Sequence, residues 1–489
     1  MPPLETTPLL NGQPAATRAI HPASLFPSIS GTLLRLEDHI DRVSIQDVCP
    51  RNVGDICSET AFHILVLLEL RARKLRQKPS ADIWNRWVDA ATNDRDLHQL
   101  NEQVVNTWVL FLDDYRTPRE IEQVLWTSFL ISDDSARRVR VVDLLNADCP
   151  SQLICHDIVL LSLANLWKNG LSRDGALQMD SAARIGLRFD AFCTPRALHF
   201  MELVCHLAYF GLLVSYVMRP PFEPIISRTR LDYIGPREIL LMVFSSSILI
   251  RPWTIFTVPF AMTLIIFLFS LPAVPFASDI SFNFLLLAFV FHTFQLHFSS
   301  PPSPLYLFKV DHSLPFAHFL GHGFYRIIFP LTLFFVPIFI LGTSWLSMAL
   351  ADTFFTDPAF ISLLPTPMQT RTTVLFMFFA LLAAFCSSLF IFVVYGRHLD
   401  PNASGWDAYS SAVGLAARAS FVRTVISYSS PYTFPAPFSL LQAILIAGPS
   451  FVLNRLGLHL SFARAEKILW RTTVGPLGLV SAVAVALLP

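Results

Sequence analysis

The sequence has 489 residues, no formal net charge at neutral pH and a mean hydropathy of +0.50. Charged residues make up 15% of the chain, whereas globular proteins average about 25%. This shortage of charge, with 53% hydrophobic residues and 43 phenylalanines, excludes an ordinary soluble domain, gives no basis for nucleic-acid binding and predicts a polytopic membrane protein.

The first 31 residues form a polar, proline-rich tail for which we expect no ordered structure. The tail lacks the apolar run of a secretory signal peptide, so we expect the N-terminus to stay in the cytosol. Glu5, Leu9 and Leu10 have the spacing of a sorting signal that cytosolic adaptors bind, which requires an exposed tail. A chance match in a leucine-rich chain is the alternative.

Residues 32–192 are predicted to form a cytosolic, all-helical domain. One helix opens with Thr117, Pro118 and Glu120 in a capping-box arrangement, and another closes at Asn169 and Gly170. No alternating strand pattern is visible. Apolar residues recur at helical spacing in four stretches, residues 59–75, 97–115, 117–132 and 149–170.

The first of these helices ends in a basic cluster. Such a cluster could hold the headgroups of anionic lipids. We favour the alternative, a solvated helix end, because basic side chains suit the negative end of the helix dipole. The cluster consists of Arg71, Arg73, Lys74 and Arg76.

The composition changes near residue 194, and six apolar stretches follow. A helix needs about 20 apolar residues to cross a bilayer, and most of the stretches meet that length. The second is short and reaches it only with its flanking residues. The domain of spans one to four covers residues 193–298, and spans five and six cover residues 327–396. A soluble helical domain, six spans and a loop between the last two are the layout of a tetrameric cation channel subunit, so we expect residues 327–396 to form the pore. The spans are residues 195–218, 238–250, 253–271, 281–298, 327–350 and 373–395.

The basic residues between these spans support a cytosolic N-terminus only in part. Six spans would keep Lys309, Arg326 and Arg397 in the cytosol, as the positive-inside rule favours. The loop between the first two spans opposes this topology because it would carry several arginines to the other side. We expect the large N-terminal domain, which stays in the cytosol, to outweigh that loop.

Residues 299–326 form a polar linker between the fourth and fifth spans. It contains His312, His318 and His322, of which the last two lie four residues apart on one helical face. That spacing suits a metal ion, but membrane oxygenases need several such pairs and this chain has one. We therefore interpret the linker as a helix at the cytosolic surface that transmits gating motion.

Two further groups of ionisable residues lie in or between the spans. Asp352 and Asp357 are the only carboxylates in the loop between spans five and six, where a cation filter would lie; a surface loop is the alternative. Glu202 and His206 lie one helical turn apart inside the first span, where ionisable residues are functional candidates; a mutual structural contact is the alternative that we favour.

Residues 397–489 are predicted to form a C-terminal helical segment that is partly membrane-associated. Residues 405–428 have an amphipathic pattern, whereas residues 437–453 and 474–489 are apolar but short. Each short stretch could lie on the membrane, pack on the bundle or cross it, and the pattern leaves the three possibilities open.

Three stretches of the chain resemble a known family in the same order along the chain: residues 141–170, residues 189–218 and the stretch that begins with Pro437 and Phe438. They are similar to the helical linker domain, the approach to the first span and the helix after the last span of fungal vacuolar TRP-type channels. The resemblance implies a calcium-permeable cation channel of the vacuolar membrane that acts as a homotetramer. Gln442 stands where the family has a carboxylate and no C-terminal acidic cluster is present, so calcium activation is not implied.

The sequence therefore predicts an all-α, polytopic membrane protein with a six-span TRP-like bundle after a cytosolic helical domain. Its predicted function is that of a cation channel subunit, without enzymatic activity, cofactor or bound metal. Three alternatives remain open: a non-conducting protein of the same fold, a secondary transporter, and a membrane lipid-modifying enzyme that uses His318 or His322. The seven cysteines form no CxxC pair, so neither a disulfide framework nor a zinc site is predicted.

Overall fold

The chain forms two compact units in a computed structural model. The first unit combines Met1–Glu202 with Val422–Leu488, and the second contains Leu203–Phe421. Besides isolated positions between 333 and 387, the structure describes residues 26–36, 48–49, 55–76, 83–132, 135–146, 149–170, 190, 192–221, 234–250, 257–271, 274–277, 279–295, 302–323, 404–429, 432–456 and 462–487.

The N-terminal part of the first unit is mostly helical. Its described elements are α1 (Ile29–Leu36), α2 (Ile56–Arg76), α3 (Ile83–Asp113), α4 (Pro118–Trp126), β1 (Ser128–Ser132), β2 (Ser135–Arg140), a 3-10 turn (Val141–Leu144), α5 (Ser151–Ile154) and α6 (Asp157–Asn169).

The core of this region forms around α2, which is buried along most of its length and packs on α3 and α4. The rings of Phe26, Phe62 and Phe129 meet there with centroid separations of 4.9 to 5.2 Å. Aromatic pairs at these distances add to the stabilisation that burial provides. The three rings therefore join the segment before α1, the helix α2 and the strand β1.

The predicted helix over residues 117–132 is correct at its start and wrong at its end. Thr117 and Glu120 form the expected capping box, with the Thr117 N–H donating to Glu120 Oε2 at 2.7 Å. The helix ends at Trp126, and the following residues form an antiparallel hairpin in which Phe129 lies opposite Val139. A short apolar run fits the periodicity of a helix and that of a strand, and here the run forms a strand in which Phe129 is buried. The all-α prediction is corrected by this hairpin.

The predicted helix over residues 149–170 is interrupted. It consists of α5 and α6, because His156 caps a new helix by accepting a hydrogen bond on Nδ1 from the Ile158 N–H at 3.3 Å. The predicted end at Gly170 is confirmed, where the backbone has a φ of 76°.

The second unit begins within α7, and its described helices follow the predicted spans closely. Helix α7 has the bounds predicted for the first span, and the next three begin and end within a few residues of the prediction. They are α7 (Pro195–Met218), α8 (Pro236–Leu249), α9 (Val258–Ser270), α10 (Ile280–Gln295), a 3-10 turn (Pro304–Leu307) and α11 (Val310–Gly323).

Among the described residues, α7 is the one helix long and apolar enough on its own to cross a membrane. Helices α9 and α10 are apolar but shorter. Arg237, at the start of α8, donates to the backbone oxygens of Ser215 and Arg219 at the end of α7, at 3.1 and 3.0 Å. This arginine, one of those in the loop that opposed the predicted topology, thus caps the C-terminal end of α7.

The C-terminal part of the chain is also helical and, from Val422, belongs to the first unit. The stretch 438–453 is apolar but short, and the polar helix α15 continues into the apolar helix α16 with a bend of 55° at the break. The elements are a 3-10 turn (Gly405–Asp407), α12 (Ser411–Tyr428), α13 (Phe438–Gln442), a π-helical turn (Ala443–Ala447), α14 (Gly448–Arg455), α15 (Ala463–Thr473) and α16 (Gly475–Ala486).

Candidate functional site

The predicted linker helix α11 lies against the segment that follows the sixth predicted span. Within the second unit, His318 Nε2 is 2.9 Å from Ser420 Oγ on α12, and the rings of Phe319 and Tyr409 stack at 4.6 Å. Gly405 makes the approach possible, because a Cβ atom there would come within 2.9 Å of the His312 ring. The linker and residues 405–420 therefore form one packed surface.

A buried ion pair holds residues 404–418 in the shape that α11 contacts. The Arg418 guanidinium, whose side chain is 4% exposed, donates to both carboxylate oxygens of Asp407 at 2.7 and 2.6 Å. The hydrogen bonds that Arg418 donates, helped by one from Ser404 and by the Arg418 charge, lower the pKa of Asp407 below the ordinary carboxyl range. The guanidinium also lies over the Trp406 ring and donates to Ser404 Oγ at 3.3 Å.

The three predicted linker histidines have different surroundings. His318 is held against Ser420, whereas His312 and His322 are exposed. His312 Nε2 lies 3.6 Å from Asp311 Oδ2, a weak contact for side chains that are both about half exposed. Within the described residues no group of three or more His, Cys, Asp or Glu side chains could hold a metal ion.

Glu202 lies near the start of α7 and contacts α12 within the first unit. The Tyr428 hydroxyl donates to Glu202 Oε2 at 2.5 Å. The Tyr428 ring meets the His199 ring edge-on at 5.2 Å, and the Trp167 ring lies 5.5 Å from His199. Helices α6, α7 and α12 therefore meet at a buried aromatic group that surrounds one carboxylate.

His206 belongs to a polar group inside the second unit. Its ring lies 6.3 Å from the His292 ring, and Tyr209 Oη lies 3.4 Å from His292 Nε2 and 3.3 Å from Ser245 Oγ. This group joins α7, α8 and α10 in their buried interior. A mutual contact between Glu202 and His206 stays a prediction; Glu202 contacts Tyr428 on α12, and His206 contacts His292 on α10.

Asp190 precedes α7, and its side chain has no exposed surface. Arg471 on α15 donates to both of its carboxylate oxygens at 3.0 and 2.8 Å, and the Tyr432 hydroxyl donates to it at 3.0 Å. Trp470 anchors the same helix by donating from Nε1 to the Thr433 oxygen at 2.9 Å. The approach to the first predicted span is thus tied to the C-terminal segment within the first unit.

The basic cluster on α2 is partly occupied by partners in its own unit. Lys74 Nζ lies 3.0 Å from Asp96 Oδ2, and Arg71 Nε donates to Asn101 Oδ1 at 2.7 Å. Arg76 is exposed, and Arg73 lines a small cavity beside Glu69. These contacts explain the basic residues as the end of a helix packed on α3, the alternative that the sequence favours; lipid binding there stays a prediction.

Two predicted groups of site residues lie outside the described residues. They are the loop residues Asp352 and Asp357 and the N-terminal residues Glu5, Leu9 and Leu10. In contrast, the structure adds Asp190, Asp407 and Arg418, which sequence reasoning missed. The acid and the base of the Asp407–Arg418 pair are 11 positions apart, and no local pattern distinguishes them from solvated charges.

Comparisons with known proteins give matches at the level of structure. No family model matches the sequence, and no curated protein matches it. The chain is similar to the thermo-sensitive TRP channel TRP1 from the alga Chlamydomonas reinhardtii in nanodiscs, with a TM-score of 0.42, 14% identity and coverage of 90% of this chain. It spans 62% of the length of that channel. It is also similar to full-length TRPY1 with PI3P and calcium bound, with a TM-score of 0.43, 14% identity and coverage of 89% of this chain and 88% of that one.

Proposed function

We propose that the chain is a subunit of a TRP-like, calcium-permeable cation channel in an internal membrane, the vacuolar membrane in a fungal cell, with a cytosolic N-terminus. The observation that carries the proposal is the packing of α11 on residues 405–420. Helix α11 ends at Gly323, directly before the fifth predicted span, and residue 404 follows the sixth.

The contact between α11 and residues 405–420 restricts how residues 324–403 can cross a membrane. The parts of the chain that flank this segment lie together, because His318 contacts Ser420 and the Phe319 ring stacks on the Tyr409 ring. A segment that leaves and returns on the same face crosses the bilayer an even number of times. The two apolar runs in it, residues 327–350 and 373–395, supply two crossings. Two spans joined by a loop are the arrangement that a channel pore needs.

Contacts within the first unit also restrict the number of times that the chain can cross the membrane. Asp190, directly before α7, is bound to Arg471, and Glu202 near the start of α7 is bound to Tyr428. The start of the first span and the segment after the sixth therefore lie at one membrane face. An even number of crossings between them agrees with the six spans that the sequence predicts.

In this proposal the loop between the pore spans carries the cation filter. A homotetramer would place Asp352 and Asp357 as rings of four carboxylates around the axis, which concentrates divalent cations. We expect Asp352→Asn and Asp357→Asn each to lower the permeability to calcium relative to potassium several-fold. Patch-clamp recording from vacuoles or liposomes that contain the purified protein measures this ratio.

The matched control is Asp114→Asn, which removes an exposed carboxylate from the helical domain of the first unit. It should leave the permeability ratio unchanged. Cation currents that are identical in all three variants would remove both loop aspartates from the filter. Absence of any current from the unaltered protein under calcium, stretch and oxidant stimuli would contradict the channel proposal and favour a non-conducting protein of the same fold.

The vacuolar part of the proposal makes a separate prediction about the N-terminal tail. If adaptors bind Glu5, Leu9 and Leu10, then Leu9→Ala together with Leu10→Ala should redirect the protein to the plasma membrane. Fluorescence microscopy of tagged protein in fungal cells measures the change, and Leu4→Ala is the control within the same tail. Unchanged vacuolar location of the double variant would show that these leucines do not direct sorting.

A further inference from the structure

Helix α16 has an apolar surface that the described residues do not cover. Gly475, Gly478, Ser481 and Val485 are buried and lie on one side of the helix. The opposite side consists of exposed aliphatic side chains, and the helix contains no charged residue. These are Leu477, Leu479, Val480 (67% exposed), Val483 (61%) and, at the helix end, Leu487 (83%).

This pattern differs from that of a helix on the surface of a soluble unit. Such a helix presents polar residues to water on the side opposite its buried stripe, whereas a helix that is apolar on all sides lies in a protein interior or in lipid. About half of the circumference of α16 faces protein, and the other half is aliphatic. Exposed to water, that half would be a contiguous apolar patch.

The position of α16 in the first unit identifies the membrane as the partner. Gly478 lies directly against Cys193, two residues before α7, since a Cβ atom on Gly478 would come within 2.8 Å of Cys193 Sγ. Arg471, near the end of α15, binds Asp190. Helix α16 therefore begins at the level where the first predicted span begins.

The charges on α15 fit the same location. Apart from Arg471, which is bound to Asp190, the helix carries the basic residues Arg464 and Lys467 and a single acidic residue, Glu466, which accepts a hydrogen bond from Gln442 at 2.7 Å. Basic residues at a membrane surface interact favourably with lipid phosphates. The chain bends by 55° between α15 and α16, so a basic helix is followed directly by an apolar one in a new direction.

We propose that α16 is a lipid-contacting anchor, which places its aliphatic side against acyl chains in the leaflet where α7 begins. Its 12 residues extend over about 18 Å, less than the hydrocarbon thickness of about 30 Å, so it does not cross the bilayer. The anchor holds the C-terminal segment of the first unit at the membrane. The inference rests only on α7 being embedded in the membrane and is independent of ion conduction.

The test uses the full-length protein in liposomes with a genetically encoded, environment-sensitive fluorescent amino acid. The probe replaces Val480 or Val483 in α16, Leu207 on the exposed side of α7, or Leu110 on the exposed side of α3. Phospholipids with a nitroxide on the acyl chain quench a probe in lipid, and iodide quenches a probe in water. We expect the α16 probes to lose emission with the lipid nitroxide, as at Leu207, and to resist iodide, opposite to Leu110.

Any other outcome contradicts either the anchor or the proposed channel topology. Quenching of the α16 probes by iodide would place the aliphatic side in water and contradict the anchor. Resistance to both quenchers would show that protein covers α16, such as a second copy of the chain, and would also contradict it. If the Leu207 probe resists the lipid nitroxide, α7 is not embedded and the proposed channel topology fails, which is distinguishable from a failure at α16 alone.

Discussion

Replacing Arg471 with methionine is expected to release the start of α7 from α15. Asp190 has no exposed side-chain surface, so the substitution leaves a buried carboxylate without its guanidinium. Removing one partner of a buried ion pair costs about 3 to 5 kcal/mol, and we expect about 3 kcal/mol because Arg471 is 29% exposed. Amide hydrogen exchange in residues 192–202 and 463–473 should then accelerate by about a hundredfold or more.

The control for this prediction is Arg464→Met, which makes the same chemical change at an exposed position of the same helix. Surface substitutions of this kind change stability by about 0.5 kcal/mol or less. The double variant Asp190→Asn with Arg471→Met should recover part of the lost protection, because it removes the buried charge as well. Equal exchange rates in Arg471→Met and Arg464→Met would contradict a stabilising role for the ion pair.

Replacing Asp407 with alanine is expected to loosen the contact between α11 and residues 405–420. The substitution leaves the Arg418 guanidinium, which is 4% exposed, without its carboxylate, at a cost of about 3 kcal/mol. Because Tyr409 and Gly405 adjoin this ion pair and contact α11, protection from hydrogen exchange should fall in residues 310–323 and in residues 411–428. In the proposed channel, the open probability should change with it.

Asp311→Ala serves as the control, since Asp311 is an exposed acid on α11 with only a weak contact to His312. We expect it to change exchange and open probability little.

The Asp407 contact also has a defined pH dependence. A carboxyl whose pKa is lowered by folding adds stability above its ordinary pKa of about 4, and this stability is lost as the pH falls through the lowered value. Protection of α11 that titrates near neutral pH would contradict Asp407 as its source.

The ends of α7 and α4 depend on neighbouring residues, whereas the ion pairs join residues that are far apart in the sequence. The bounds of α7 agree with the apolar run in residues 195–218, because a long, continuous apolar run marks both ends of its helix by composition alone. The start of α4 agrees because the side chains of Thr117 and Glu120 accept hydrogen bonds from each other's backbone N–H groups within one turn. Asp190 and Arg471 are 281 positions apart, and no pattern in the chain links them.

The sequence by itself determined the bounds of α7 and the presence of a helix at α11, and it predicts a membrane protein, since these depend on composition and on residues within a few turns of each other. Only the tertiary structure decided the hairpin after Trp126, the pairing of Asp407 with Arg418 and the joining of the C-terminal segment to the start of α7. These features depend on which distant groups become buried together, because a charge or an aromatic ring acquires its partner only when the chain has folded.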